Sequence, residues 1–365
     1  MSVAPSLETP EASGRLQAKD EAAALEELHR LGCTDGLPVV IPTTERVERM
    51  VLALGDAPDL SLGTMGPNMG ACTVEKLAVA AVMAGCLPEH APVVRAAVMA
   101  ILDPAFDLTE VQVTTHSTTP LLIVNGPARE LCGPIASGSG ALGPGHRANA
   151  SIGRAVRLAM INIGGGRPGI SDMSLLGHPG KFTYCLAESE EESPFPPLHT
   201  SRGFTPDQSA VTVIGAEAPH STVCTLDTDN PRAGEGVLTS LANMLSAIGT
   251  NNALAREGQA VVILTPDHAN LLHGQGYTRE SIAAGICERA VVTGAQLMAS
   301  QLPKEPIEPD AKFFCFTSPE EILVMVAGGN GLYSYVLPTW SGGPHRNRAI
   351  SKEIVLGEAC DLPGA

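Results

Sequence analysis

The chain has 365 residues, 44% of them apolar but only 3% aromatic, and a formal charge of −16. That length suits one large α/β domain or two ordinary ones, and a core of Ala, Val, Leu, Ile and Met suits helices packed closely on a sheet. So acidic a surface repels phosphate backbones and anionic lipid, which disfavours nucleic acid and membrane surfaces as partners.

Residues 1–20 read as a disordered polar tail, without the basic start and apolar run of a signal peptide. Residues 22–31 carry Ala23, Leu25, Leu28 and Leu31 at helical spacing, and 37–42 (LPVVIP) read as a short buried strand. Thr43 or Thr44 caps a helix that Gly55 stops, and Thr73 caps another that closes at Gly85 and Cys86. Between these two helices lies a Gly/Pro/Met-rich connection. Pro88 opens a further helix that runs to Asp103; 121–127 (LLIVNGP) form a strand and 148–164 a helix. Residues 170–205 are polar, acidic and broken by proline, and read as an irregular excursion over the surface or across a pocket mouth. Strands at 210–217, 260–266 and 321–329 then alternate with helices at 236–249 and within 277–293. This alternation predicts an α/β fold with a mostly parallel or mixed sheet flanked by helices. The organisation expected is a tail at 1–20, an α/β half at 21–169, the excursion, a second α/β half at 206–355, and a tail at 356–365.

The chemistry-bearing residues concentrate between 111 and 169. GSGALG (Gly138, Gly140, Gly143) matches GxGxxG formally, but some ten residues separate it from the preceding strand, which argues against a dinucleotide site. The loop reads either as a tight chain reversal or as a backbone nest for a carboxylate or phosphate. In the second case Gly143 and Gly145 supply amides, Arg147 and Arg154 supply charge, and Asn149 can polarise the reacting group of the substrate. His116 lies in TTHSTTP, where Thr115 and the neighbouring hydroxyls can fix one ring tautomer, as a general base requires. Asn125, at the strand end, can polarise a reacting group.

The nine cysteines are scattered and contain no CxxC, so zinc ribbons, iron–sulfur runs and dithiols are disfavoured. Cys86, beside His90, and Cys72, just before a helix, are the two placements where a nucleophilic thiolate is conceivable. Buried, inert thiols are the bland reading of both. No cofactor is identified. The metal alternative needs His116, His199, His220 and Glu188 to converge from distant segments, because none shows ligand spacing.

Several segments together are similar to a poorly characterised bacterial family: DGLPVVIPTTERVERM, TVEKLAVAAVMAGCLPEHAPVV, TTHSTTPLLIVNGP, GPGHRANASIGRAVRLAMINIGGGRPG, PGKFTYCLAESEEESPFPPLH and AGGNGLYS. Members of that family are encoded near short proteins bearing a UGSC or CGSC motif, and some carry thiol-disulfide labels. The resemblance spans about residues 33–350 and implies one component of a two-part system, with the redox centre on the partner, since this chain has no CGSC. The family position after GPG is an aromatic where this chain has His146, so no catalytic role is given to His146. The expectation is a cytoplasmic, homo-oligomeric enzyme, of lyase or hydrolase type. It would act on a small anionic, carboxylated substrate by acid–base chemistry: hydrolysis, hydration or elimination. His116, Cys86 and Cys72 are the catalytic candidates. The alternative is a non-catalytic or thiol-redox subunit completing the site of a UGSC/CGSC-type protein.

Overall fold

The computed structural model describes residues 14–301 and 303–356. Residues 1–13 and 357–365 of the expected tails, and with them Cys360, lie outside the described residues.

The principal helices are α1 (Glu21–Arg30), α2 (Thr44–Leu54), α3 (Val74–Ala84), α4 (Ala91–Ile101), α5 (Arg147–Asn162), α6 (Ala233–Leu245), α7 (Pro266–Gly274) and α8 (Arg279–Arg289). Their ends follow local chemistry. Thr43, Thr73 and Thr265 accept backbone N–H bonds at the starts of α2, α3 and α7, while Gly55 and Gly85 close α2 and α3 at φ 83° and 85°.

Eight strands form two four-stranded sheets: β1 (Thr119–Asn125), β2 (Cys185–Ala187), β3 (Ala210–Ala216), β4 (His220–Val223), β5 (Ala260–Leu264), β6 (Ile322–Val326), β7 (Tyr333–Pro338) and β8 (Ile350–Glu353). The orders are β8-β3-β1-β2 and β6-β5-β7-β4. In each sheet a central strand pairs parallel on one side and antiparallel on the other: β1 with β2 and β3, β5 with β6 and β7. The fourth strand of each is exchanged. β4 follows β3 in the chain yet pairs with β7, and β8 follows β7 yet pairs with β3. Reciprocal bonds join the sheets at one corner, Glu217 N–H to the Pro338 carbonyl and Trp340 N–H to the Gly215 carbonyl.

The sheets pack face to face between outer helices. Leu121, Ile123 and Ile214 meet Val261, Ile263 and Met325 in the middle layer. Leu122, Val124 and Val213 instead face α3, α4 and α5, and Val262 and Val324 face α6 and α8. Every residue of β1, β3, β5 and β6 is buried, which is why these strands read as unbroken apolar runs rather than alternating ones. The fold is α/β, and its sheets are mixed.

Three local readings need correction. Residues 37–42 are extended but form no strand, because no strand lies beside them; the Val40 amide instead caps the Met83 carbonyl at the end of α3. The connection after α2 holds a two-stranded ribbon, Ser61–Met65 with Gly70–Thr73. The excursion at 170–205 is not wholly irregular, since it delivers β2, the parallel partner of β1. The sheets also cross the expected divisions, β3 from the second segment pairing with β1 from the first. Among the described residues no helix is long and apolar enough to cross a membrane.

Candidate functional site

His116 lies in the turn between the short helix Leu108–Val113 and β1. Thr114 Oγ1 accepts the His116 amide at 3.1 Å, and the Thr118 amide donates to the His116 carbonyl at 3.0 Å, so local bonds shape the turn. The β1–β3 register sets Thr119 opposite Ala216, and residues just beyond the two strand ends therefore meet. This brings Glu217 to His116, with Oε1 and Nε2 3.0 Å apart.

Residues 166–183 run as a strap along this turn. The Leu175 amide donates to the Thr115 carbonyl (3.0 Å), the Gly177 amide to Ser117 Oγ (3.1 Å), and Ser174 Oγ to the His116 carbonyl (3.2 Å). Buried Asp172 anchors the strap, accepting Lys181 Nζ at 2.8 and 2.9 Å and an Arg157 N–H at 2.9 Å. Burial alone would push the Asp172 carboxyl up, but the Lys181 bond and charge, with Arg157, outweigh it and hold the group below its ordinary range. Within this cluster two cations answer one carboxylate, and the Glu217 carboxylate lies beside the same turn. The Lys181 ammonium is itself lowered by burial, against the pull of Asp172.

His178, on the same strap, stacks edge-on against Tyr184 with ring centres 5.6 Å apart, and its Nδ1 accepts the Gly180 amide at 3.2 Å. Burial, reinforced by Lys181, lowers its pKa, so the ring is neutral at pH 7; it also feels the charges of Glu217 and His116. The Tyr184 hydroxyl donates to the Glu217 carbonyl at 2.8 Å, and burial raises its pKa well above the ordinary value. The His116–Glu217 contact is at ion-pair distance but off hydrogen-bond geometry. His116 Nε2 and Glu217 Oε1 are accordingly shielded polar atoms with no hydrogen-bond partner. Such atoms cost on the order of 1–3 kcal/mol each and call for a functional or structural explanation. A carboxylate facing Nε2 favours the Nε2–H tautomer and leaves Nδ1 of His116 to exchange a proton.

The other sequence candidates are dispersed. Thr115 is exposed and engages the strap through its carbonyl. Asn125 and Glu188 do meet, Nδ2 to Oε2 at 2.6 Å, but at the carboxyl end of β1, separated from the His116 turn by the length of that strand, about 20 Å. There Glu188, fully buried, also accepts the Leu198 amide at 2.6 Å and an Arg279 N–H at 3.0 Å. His199 is buried with Nε2 on the Thr205 carbonyl, and His220 is exposed on β4. His116, His199, His220 and Glu188 do not assemble into a ligand set, and among the described residues no group of three His, Cys, Asp or Glu side chains is arranged to hold a metal ion.

The anion cradle expected at 138–145 is not built. Gly143 N–H closes a turn onto the Gly140 carbonyl and Ala141 N–H onto that of Gly138, while Gly145 is exposed. The loop starts beside β2 and β6, where Gly328 N–H donates to the Ser137 carbonyl, and so is rooted at the opposite end of the sheet from His116. Arg147 is exposed and reaches the Gly85 carbonyl. Arg154 is consumed by a bidentate pair with Asp35 at 2.7 and 2.8 Å. The buried Asn149 amide is spent on Ala136, Ala141 and Cys185. Burial also disfavours the thiolate form of both candidate cysteines. Burial pushes Cys72 to about 12, overriding its place before a helix start, and pushes Cys86 higher still, with its Sγ on the Ser151 carbonyl.

Glu217, His178, Lys181 and Asp172 went unread in the sequence. Glu217 ends the strong strand at 210–217, but its meeting with His116 depends on strand register, which pattern alone does not disclose. A cavity of about 870 Å³ elsewhere, between residues 14–24 and helices α2 and α3, is lined by Leu28, Val47, Met83 and Lys76 and holds none of these acid–base groups. Comparison with protein-family models, curated proteins and solved structures finds no match for the chain.

Proposed function

We propose that the chain is an enzyme that moves a proton on a small carboxylated anion, in a hydrolysis, hydration or elimination, with His116 as the base. The observation that carries this reading is the His116–Glu217 dyad, shielded and unpartnered beneath a strap that brings Lys181 and a neutral second imidazole, His178. The Arg157–Asp172–Lys181 cluster carries one more cation than carboxylate, and Lys181 is its group for an anion, with Glu217 opposing from the far side of the turn. With Nδ1 accepting the Gly180 amide, neutral His178 carries its proton on Nε2, where it can donate a hydrogen bond without changing the charge of the site.

The test is native mass spectrometry of the purified chain for a retained small anion, followed by turnover of that compound. His116→Gln should lower turnover about a hundredfold to ten-thousandfold, the usual contribution of a positioned acid–base group, while the thermal midpoint moves little. Lys181→Met should weaken retention of the anion. Unchanged turnover in His116→Gln sinks the proposal.

A second reading, a subunit completing the site of a UGSC/CGSC-type protein, is favoured by the strap's own surface. Ile170, Leu175 and Leu176 stand 76, 86 and 94% exposed beside the histidine turn. Cys72 and Cys86 are buried and protonated, so neither of these two thiols supplies the redox chemistry that this reading assigns to the partner. A small CGSC protein co-purifying with the chain, and lost from Leu175→Ser/Leu176→Ser, would favour this reading over a self-sufficient enzyme.

A further inference from the structure

A second histidine–carboxylate pair lies outside the site just described. Asp107 and His345 are 238 positions apart, yet His345 Nδ1 lies 2.8 Å from Asp107 Oδ1. The other carboxylate oxygen, Oδ2, accepts the backbone N–H groups of His345 and Asn347, both at 3.0 Å. The Asp107 side chain is 2% exposed, whereas that of His345 is 50% exposed. One end of the imidazole is therefore pinned inside the protein and the other end, Nε2, faces outward.

The backbone is bent to make this arrangement. Asp107, Arg346 and Asn347 adopt φ of 53°, 62° and 48°, the left-handed region that side-chain-bearing residues avoid. Strain of this kind persists only where the surroundings over-determine it, and it gathers at functional sites. Here the surroundings do over-determine it. Asn347 is fully buried, with its amide held between the Phe106 carbonyl at 2.7 Å and the Gly215 amide at 2.9 Å. Gly343 cannot be replaced, because a Cβ there would stand 2.7 Å from Asp107 Oδ2. A purely structural latch accounts for the two backbone donors. It does not need the third donor to be an imidazole that presents its second nitrogen to solvent. The same segment, residues 339–352, carries Arg346, Arg348 and Lys352 and no acid, in a chain whose net charge is −16. Arg346 and Lys352 are paired across the surface with Glu257 and Asp103, pairs weak enough to yield to a ligand, and Arg348 stands 3.9 Å from the buried Glu321.

We propose that His345, aligned by Asp107, is a nucleophilic imidazole that accepts acyl groups from small activated esters and hydrolyses them, a reactive centre independent of His116. The Asp107 carboxylate keeps the ring proton on Nδ1, leaving the Nε2 lone pair free to attack. That pair forms a C–N bond to the ester carbonyl carbon, and the C–O bond breaks, its electrons leaving with the alkoxide or phenolate. The positive charge of the acylated ring is balanced by Asp107. Water then adds to the acyl carbon, the C–N bond breaks and returns its pair to Nε2, and the proton that the water sheds neutralises the departed alkoxide or phenolate, so the products are the carboxylic acid and the alcohol or phenol. No oxidant or metal is required.

The experiment uses the full chain and p-nitrophenyl acetate, following p-nitrophenolate release and, after an acid quench, locating the acetyl group by peptide mass spectrometry. The expected result is acetyl on the His345 peptide, and a rate above background that falls about a hundredfold in His345→Gln, the low end of what such a group supplies. Asp107→Asn should lower the rate without moving the acetylated residue. An unchanged rate in His345→Gln, or acetyl found on another histidine, overturns the assignment. If either variant fails to fold, the site of acetylation in the unmodified chain decides the matter. None of these readouts depends on His116, so this centre and the one proposed above fail separately.

Discussion

Arg279 and Glu188 form a buried ion pair, and replacing Arg279 by methionine should be among the most damaging single changes to the protein. Glu188 is fully buried, and Arg279 reaches it from α8 at 3.0 Å while also donating to the Pro196 and Val324 carbonyls. Without the guanidinium, the carboxylate keeps Asn125 and the Leu198 amide but loses its counter-charge. Removing one partner of such a pair costs about 3–5 kcal/mol, because an uncompensated charge stays in the interior. Native proteins have only about 5–15 kcal/mol in hand. With a urea slope of about 3 kcal/mol per molar, the unfolding midpoint should fall by about 1 M or more. The double variant Glu188→Gln with Arg279→Met removes the charge altogether, and a glutamine oxygen can still accept from Asn125 and Leu198. It should therefore recover part of the loss, a coupling that a double-mutant cycle reads directly. A single variant within about 1 kcal/mol of the parent, or a double variant less stable than the single, would refute this account of the pair.

Two further outcomes are expected. His90 is held by burial at about 4 rather than 6.5, with Glu89 opposing and Arg147 adding to the shift. The folded ring is therefore neutral, and the unfolded chain takes up a proton first. Stability attributable to His90 is complete above pH 6.5 and drains as pH falls toward 4, by about 3 kcal/mol. His90→Gln should flatten urea midpoints across that window, and parallel pH profiles for the two proteins would contradict this. Burial places the Cys72 and Cys185 thiols at about 12 and those of Cys224 and Cys315 at about 11, while Cys33 and Cys287 are half-buried. Among these six thiols and Cys86, iodoacetamide at pH 8 should label Cys33 and Cys287 first in the native protein, as read by peptide mapping. Early labelling of Cys72 or Cys86 would restore them as nucleophiles.

Helix boundaries could be read from the residues alone because capping is settled within a few positions. Thr43 and Thr73 take the amides of Arg46 and Lys76, three residues on, and Gly55 needs nothing beyond its own left-handed turn. The apolar runs at 121–124 and 260–264 likewise announced strands buried on both faces. Where a partner had to be supplied from elsewhere, the same reasoning failed in both directions. LPVVIP has the composition of a strand and no neighbour to pair with, while Cys185–Ala187, inside an apparently irregular excursion, became a strand because β1 offered its parallel edge. The glycines and arginines around 138–154 had the right composition for an anion site, but folding spent Arg154 on Asp35 and Asn149 on three backbone carbonyls. His116 was legible as a candidate from its hydroxyl-rich turn. Its carboxylate partner was not, since Glu217 arrives through the register of two strands about a hundred residues apart in sequence. Asp107 and His345 are further apart still, joined across a fold whose edge strands are exchanged between its sheets. Contacts made within one helical turn are written in adjacent letters, whereas contacts made by register and exchange depend on which strands find one another, and that is settled only when the whole core closes.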